Sequence, residues 1–263
     1  MTDTARATDL EPFEEDYRTP GWLPHAAPSG VEAEGTRSLH PTVTVVIPTL
    51  NEAENLPHVL ERLPAWVHEV IVVDGHSTDD TVAVAKACRP DVKIVLQEGK
   101  GKGNALTCGF REATGDITVM LDADGSTDPA EIPRFVATLT NGFDFAKGTR
   151  FVTGGGSDDI TALRRLGNWG VKTLVNRLWG VNYTDLCYGY NAFWTRCLQW
   201  IHTDCSGFEV ETLMGIRVAT ADMKVVEVPS FESSRLHGTS NLRVVRDGSR
   251  VLRTIIAEFV RPR

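Results

Sequence analysis

From residue 43 the chain alternates short apolar runs with stretches of helical spacing. VTVVIP (43–48), EVIVVD (69–74), VKIVLQ (92–97) and ITVMLD (117–122) are β-branched runs of strand length. Such runs, bounded by turn residues, belong to strands buried on both faces. Between them Leu56, Val59, Leu60 and Leu63 recur at helical spacing behind Asn51 and Glu54, a capping-box pattern. Further helices are predicted over about 81–88 and 103–113. Strands alternating with helices predict an α/β fold: a Rossmann-like, mainly parallel sheet flanked by helices in a single domain.

After residue 150 the alternation fails. FVTGGGSDD (151–159) reads as a mobile Gly-rich loop, followed by a helical stretch over 161–179. YTDLCYGYNAFW (183–194), FEVETLMGIRVA (208–219) and a strand KVVEVP (224–229) come next. Over 241–260, Arg243, Arg246, Arg250 and Arg253 share one helical face, with Val245, Leu252, Ile256 and Phe259 opposite. Residues 1–41 hold five prolines and little apolar periodicity, which reads as a disordered or loosely packed acidic extension. The expected organisation is therefore that extension, a domain over 42–240, and a basic amphipathic C-terminal helix over 241–263.

Composition sharpens this picture. With 263 residues, 41% of them hydrophobic, the chain can bury a full core. The net charge of −8 is uneven: residues 1–40 hold eight acids and three arginines, whereas 235–263 hold seven arginines and two acids. A negative middle argues against nucleic-acid binding, while the basic end suits phosphates or an anionic membrane surface. No apolar run approaches the roughly 18 residues of a membrane span, and the acidic start lacks signal-peptide character. Five scattered cysteines without CxxC spacing suit reduced thiols, so a cytoplasmic location is expected.

In an open parallel sheet, ligands bind beyond the carboxyl ends of the strands. Here those ends carry PTLNE, DGHSTDD, EGKGKGN and DADGS. GKGKGN (99–104) allows close backbone approach and suits a nucleotide or phosphate. It matches neither the dinucleotide nor the P-loop fingerprint, and a plain Gly-rich turn remains the alternative. Asp74 can hydrogen-bond a base or ribose, or cap its own turn. In VMLDADGSTDP (119–129), Asp128 with Pro129 and Glu131 reads as a capping box. Asp122 and Asp124 lie upstream of it, too close together to stand uncompensated. At i and i+2 on a turn they are hard oxygen ligands for Mg²⁺ or Mn²⁺ shared with substrate phosphates.

The ordered set VVIPTLNE, IVVDGHSTD, GKGKGNAL, VMLDADGS and GTRF resembles the family 2 glycosyltransferases over about 43–240. The likeness is nearest to the polyprenyl-phosphate (dolichyl-phosphate) mannosyl- and glucosyltransferases, which have the GT-A fold. It implies inverting transfer of a hexose from a nucleotide-sugar donor, of the GDP-mannose or UDP-glucose type, to a lipid-phosphate or carbohydrate acceptor. By position, Pro48, Thr49, Glu52 and Asp74 match residues that hold the nucleoside, and Lys102 and Gly103 fall near its base and ribose. Asp122 and Asp124 match the metal-binding D-x-D, and Ser126 falls where relatives often place another ligand. Arg150 in GTRF matches a motif beside the acceptor phosphate, and Asp185 matches the aspartate of a D-x-x-x-G-[FY] segment. Arg235, Gly238 and Ser240 match R-x-x-G-x-S, whose arginine faces the donor diphosphate.

A phosphate acceptor needs no general base, whereas a hydroxyl acceptor would call on Asp185 or Glu209. Unlike many relatives, the sequence has no hydrophobic C-terminal spans. The 241–260 helix is thus a candidate for peripheral contact with the cytoplasmic membrane face, or packs its apolar face on its own domain. The alternatives are transfer to a soluble or glycan hydroxyl, a sugar nucleotidyltransferase, or a non-catalytic sugar-nucleotide-binding subunit. The absence of a GxGxRL-type loop argues against the nucleotidyltransferase.

Overall fold

A computed structural model of the chain describes residues 41–239 and 241–261. In chain order, the first half comprises β1 (Val43–Thr49), α1 (Leu56–Leu60), β2 (Glu69–Asp74), α2 (Thr81–Cys88), β3 (Lys93–Leu96), α3 (Lys102–Glu112), β4 (Ile117–Met120), α4 (Ile132–Thr140) and β5 (Phe145–Thr149). Then follow β6 (Gly156–Ser157), α5 (Ala162–Trp179), β7 (Asn191–Trp194), α6 (Leu198–Ile201), α7 (Val210–Thr220), β8 (Val225–Pro229), β9 (Phe231–Glu232) and α8 (Val244–Val260). Apart from Pro41, the acidic extension expected over 1–41 lies outside the described residues.

Among the described residues the main sheet has seven strands in the order β3-β2-β1-β4-β7-β5-β8. All neighbours pair in parallel except β7, which runs antiparallel between β4 and β5. Alternate residues of β1 face opposite cores, as strand geometry requires. Val45 and Ile47 pack with Leu56, Phe135 and Tyr190 on one face, and Val46 packs with Leu106, Met214 and Phe193 on the other. A third cluster joins α5, α7 and α8 through Val175, Ile216, Val251 and Ile255. The expected mainly parallel, helix-flanked sheet is present, and Thr49, Asp74 and Leu96 align in register at its carboxyl edge.

Several local expectations are corrected. Asn51 does not cap α1: it sits at φ 56°, and its Oδ1 accepts from the Thr78 amide at 2.8 Å. Captured by the loop after β2, it leaves a helix of five residues beginning at Leu56. Asp128 does cap, accepting from the Ala130 amide at 2.9 Å, but Glu131 does not reach back. Its carboxylate instead accepts from the Ser230 hydroxyl at 2.5 Å and pairs with Arg134 at 2.7 Å. The segment read as a mobile loop is tied down, because β6 pairs with β9 and the Ser157 hydroxyl donates to Glu232. Finally, α8 docks through Asp247, Val251 and Ile255, so Val245, Leu252, Ile256 and Phe259 all stay exposed. Of the split visible in the sequence, the apolar side is thus exposed, and Arg243, Arg246 and Arg250 on the other side border a cavity.

Candidate active site

The β1, β2, β3 and β4 ends border one cavity of about 960 Å³. On one side it is lined by Pro48, Thr49, Gly75, His76 and Gln97, and at its centre by Asp122 and Asp124. On the other side lie Arg150, Arg164, Val171 and the start of α8. That volume lies at the upper end of the usual ligand-pocket range.

At the centre, each aspartate is met by a cation. Lys102 Nζ stands 2.5 Å from Asp122 Oδ1 and 2.7 Å from Glu211 Oε1. Arg235 reaches Asp124 Oδ2 at 3.3 Å and donates from Nη2 to both oxygens of Glu52, at 2.5 and 2.6 Å. Burial alone would lower the Lys102 pKa, but the Asp122 and Glu211 carboxylates outweigh it and hold the ammonium well above its ordinary value. Burial also raises Glu211, with Lys102 opposing and Asp122 reinforcing the shift. Around Asp124, the Ser126 amide donates to Oδ1 at 3.0 Å.

This donor set fits Mg²⁺ or Mn²⁺. The Asp122 and Asp124 side chains are 31% and 23% exposed toward the cavity, and two carboxylates suffice for an ion that keeps water and phosphate oxygens as its other ligands. Among the described residues no group of three or more His, Cys, Asp or Glu forms a closed metal cage.

Other sequence-predicted residues fall elsewhere. Asp74 is buried and does not line the cavity; its carboxylate accepts from the Ser77 amide at 3.2 and 3.3 Å, capping its own turn. Gly103 is also withdrawn: its amide donates to the Ser206 carbonyl, and a Cβ there would stand 2.7 Å from the Cys205 carbonyl oxygen. The glycine spacing therefore serves packing of α3 on the 205–206 segment. Ser240 lies outside the described residues.

Arg150 touches the cavity but is buried beneath it, donating to Asp185 Oδ2 at 2.7 Å, Asp185 Oδ1 at 3.0 Å and Glu232 at 2.9 Å. Asp185 is fully buried, and the Arg150 and Cys187 amides also donate to it. Those four donors match the roughly four lone-pair sites of an ionised carboxylate, and its burial keeps it from the cavity. Glu209, the other candidate base, is buried with Oε1 on the Gly207 amide. Two contributors were given no site role from the sequence. Glu211 was not separable from its neighbour Glu209 without knowing the facing of α7, and Gly189 showed only as part of the D-x-x-x-G-[FY] spacing.

The family model described as glycosyl transferase family 2 matches residues 44–199, more than half of the chain. The chain belongs to glycosyl transferase family 2. Among its relatives is a dolichol-phosphate mannosyltransferase of Pyrococcus furiosus, 33% identical over 76% of this chain and 59% of the relative. The chain thus spans less than two thirds of that relative's length. An undecaprenyl-phosphate mannosyltransferase of Micrococcus luteus is 34% identical over 76% of this chain and 87% of its own. In structure, this family 2 chain matches glucosyl-3-phosphoglycerate synthase of Mycobacterium tuberculosis, crystallised with Mn²⁺, UDP and glucosyl-3-phosphoglycerate. The match covers 85% of this chain and 81% of that one, with TM-score 0.68 and 24% identity. That likeness establishes the GT-A fold expected from the sequence motifs. Among the described residues of this family 2 member, no helix is long and apolar enough to cross a membrane.

Proposed function

We propose that this protein is an inverting, metal-dependent hexosyltransferase that moves a sugar from a nucleotide-sugar to a polyprenyl phosphate. The observation that carries the reading is the D-x-D pair, Asp122 and Asp124, lining one cavity with the polar ends of β1 to β3 and with an arginine-rich wall from α5 and α8. Toward Thr49, His76 and Gln97 it offers the polar groups a nucleoside needs. Toward α5 and α8 it offers Arg164, Arg243, Arg246 and Arg250 beside Ile160, Val171, Val244 and Val251. Cations interleaved with apolar side chains suit a phosphate attached to a hydrocarbon chain.

In this reading Asp122 and Asp124 hold Mg²⁺ or Mn²⁺, which supplies Lewis-acid neutralisation of the departing nucleoside diphosphate. Arg235, on the same side, adds positive charge where the leaving group gains negative charge. The acceptor phosphate oxygen is already anionic and attacks the anomeric carbon in line, so no general base is required. Asp185 then serves as a positioning residue that orients Arg150 under the acceptor end. Pro48, Thr49 and Lys102 line the donor end. The homologous polyprenyl-phosphate mannosyltransferases support the acceptor class.

Peripheral membrane contact belongs to the same reading. Leu163, Leu166 and Trp169 of α5 and Val245, Leu252 and Ile256 of α8 are exposed, on two helices that pack on each other beside the arginine-lined end of the cavity. Such a surface suits an anionic membrane interface at the cytoplasmic face. The test is a screen of nucleotide-sugars, reading nucleoside diphosphate release with polyprenyl phosphate, with soluble glycans and with no acceptor. Release that depends on the lipid phosphate is expected; release driven by soluble hydroxyl acceptors alone would overturn the acceptor assignment.

A further inference from the structure

We propose that Lys102 and Arg235 are built-in counter-ions of the D-x-D pair, each able to yield its aspartate to a divalent cation and withdraw onto a reserve carboxylate, Glu211 or Glu52. The inference rests on the metal reading above and concerns how this chain's own residues prepare for the ion.

The arrangement is paired. Lys102 bridges Asp122 and Glu211, at 2.5 and 2.7 Å. Arg235 bridges Asp124 at 3.3 Å and Glu52 at 2.5 Å. Each cation therefore has one carboxylate in the D-x-D and one outside it. Glu211 and Glu52 are both buried, and neither has another cation within ion-pair distance among the described residues. A cation that left its reserve carboxylate would strand a buried negative charge, whereas one that leaves the aspartate frees a cavity-facing ligand. The cheaper movement is the one that opens the D-x-D.

Gly189 supplies a second observation. A Cβ at this position would stand 2.7 Å from both Lys102 Nζ and Asp122 Oδ2. The Gly189 backbone therefore lies close against the ion pair, and a side chain there would push the tips of Lys102 and Asp122 from their present positions. Phe208 contributes a further weak hold, its ring centroid 6.0 Å from Lys102 Nζ.

Two consequences follow from these contacts. Without nucleotide, a metal ion competes with an internal cation at each aspartate, which lowers its affinity. With a nucleoside diphosphate in the cavity, Lys102 and Arg235, which also line it, face phosphate charge instead, and the aspartates are released. Metal and nucleotide thereby raise each other's affinity by a common factor.

The test measures Mn²⁺ binding directly, by electron paramagnetic resonance of the free ion, with and without UDP or GDP. For the wild-type chain, the nucleotide it accepts should tighten Mn²⁺ binding by about tenfold or more, within the usual range of site–site coupling. The double variant Lys102→Met/Glu211→Gln removes a cation together with its reserve partner and leaves no unpaired buried charge. It should bind Mn²⁺ roughly tenfold tighter than wild type without nucleotide, and gain less on nucleotide addition. Arg235→Gln, at a more exposed position, should shift donor-free binding in the same direction, and thermal melting confirms that each variant is folded. Glu211→Gln alone leaves Lys102 no retreat and should weaken nucleotide-assisted binding. If folded Lys102→Met/Glu211→Gln and Arg235→Gln both bind Mn²⁺ without nucleotide no more tightly than wild type, the inference is overturned while the metal reading stays intact. If no form binds Mn²⁺ even with nucleotide, the metal reading fails and takes the inference with it.

Discussion

Gly189 and Asp122 approach so closely that a β-carbon on the glycine would lie 2.7 Å from Asp122 Oδ2. The glycine is far from the D-x-D in sequence, yet its backbone borders the first aspartate. Gly189→Ala should push the tips of Asp122 and Lys102 aside and reduce sugar transfer, with little loss of stability because both atoms end flexible side chains. Steady-state kinetics beside thermal melting check this; a variant with wild-type kcat/KM would show that the close approach has no bearing on the site.

Asp185 is predicted to matter through Arg150. Replacing it with asparagine leaves a buried guanidinium short of one of its two carboxylate partners, Glu232 remaining. Breaking a buried pair in this way costs about 3–5 kcal/mol, so Asp185→Asn should show a large drop in urea-unfolding stability. A variant with unchanged stability and a lost acidic limb in its pH–rate profile would instead point to proton transfer by Asp185 as a general base.

The start of β2 offers a pH test. Burial would raise the pKa of Glu69, but the Thr114 amide and the Thr44 and Thr114 hydroxyls more than offset it, so the carboxyl titrates below its ordinary value of 4.5. A depressed carboxylate adds stability above the unfolded pKa, and that stability is lost as pH falls through the folded one. Glu69→Gln should therefore destabilise the protein by about 1–2 kcal/mol near pH 7, with the difference shrinking toward about pH 3. Melting curves at both pH values check the sign; a constant difference would contradict it.

These contacts also mark what was legible in the sequence. The first four strands and α2 could be read closely because a buried parallel strand is a continuous β-branched run, and nothing local competes with it. The Asn51 cap could not, because its side chain is claimed by Thr78, a residue brought near only by sheet formation. The insertion of β7 between β4 and β5 rests on pairing across distant segments, which periodicity does not encode. At the site, the D-x-D was visible as a crowding of charge at a strand end. Its neutralisation by Lys102 and Arg235 was not, since those cations come from α3 and the segment after β9. Likewise GKGKGN suggested a ligand loop, but Gly103 packs against backbone that arrives a hundred residues later.

The exposed face of α8 makes a separate prediction. Leu252→Glu combined with Ile256→Glu alters two side chains that are 46% and 54% exposed. Stability should stay within about 0.5 kcal/mol per substitution, as for other surface changes. Sedimentation with anionic lipid vesicles should fall, because apolar area and charge both favour the interface in the native helix. Equal sedimentation of wild type and variant would remove α8 from the membrane contact.

The central claim is tested most directly by transfer of labelled hexose from a nucleotide-sugar into solvent-extractable polyprenyl phosphate, with wild-type chain and Asp122→Asn assayed in Mn²⁺ and in EDTA. Label should enter the lipid with the wild type in Mn²⁺, and drop by two or more orders of magnitude, about the loss of a key charge stabiliser, on chelation or in the variant. Equal incorporation by wild type in EDTA, or by Asp122→Asn in Mn²⁺, would contradict the account.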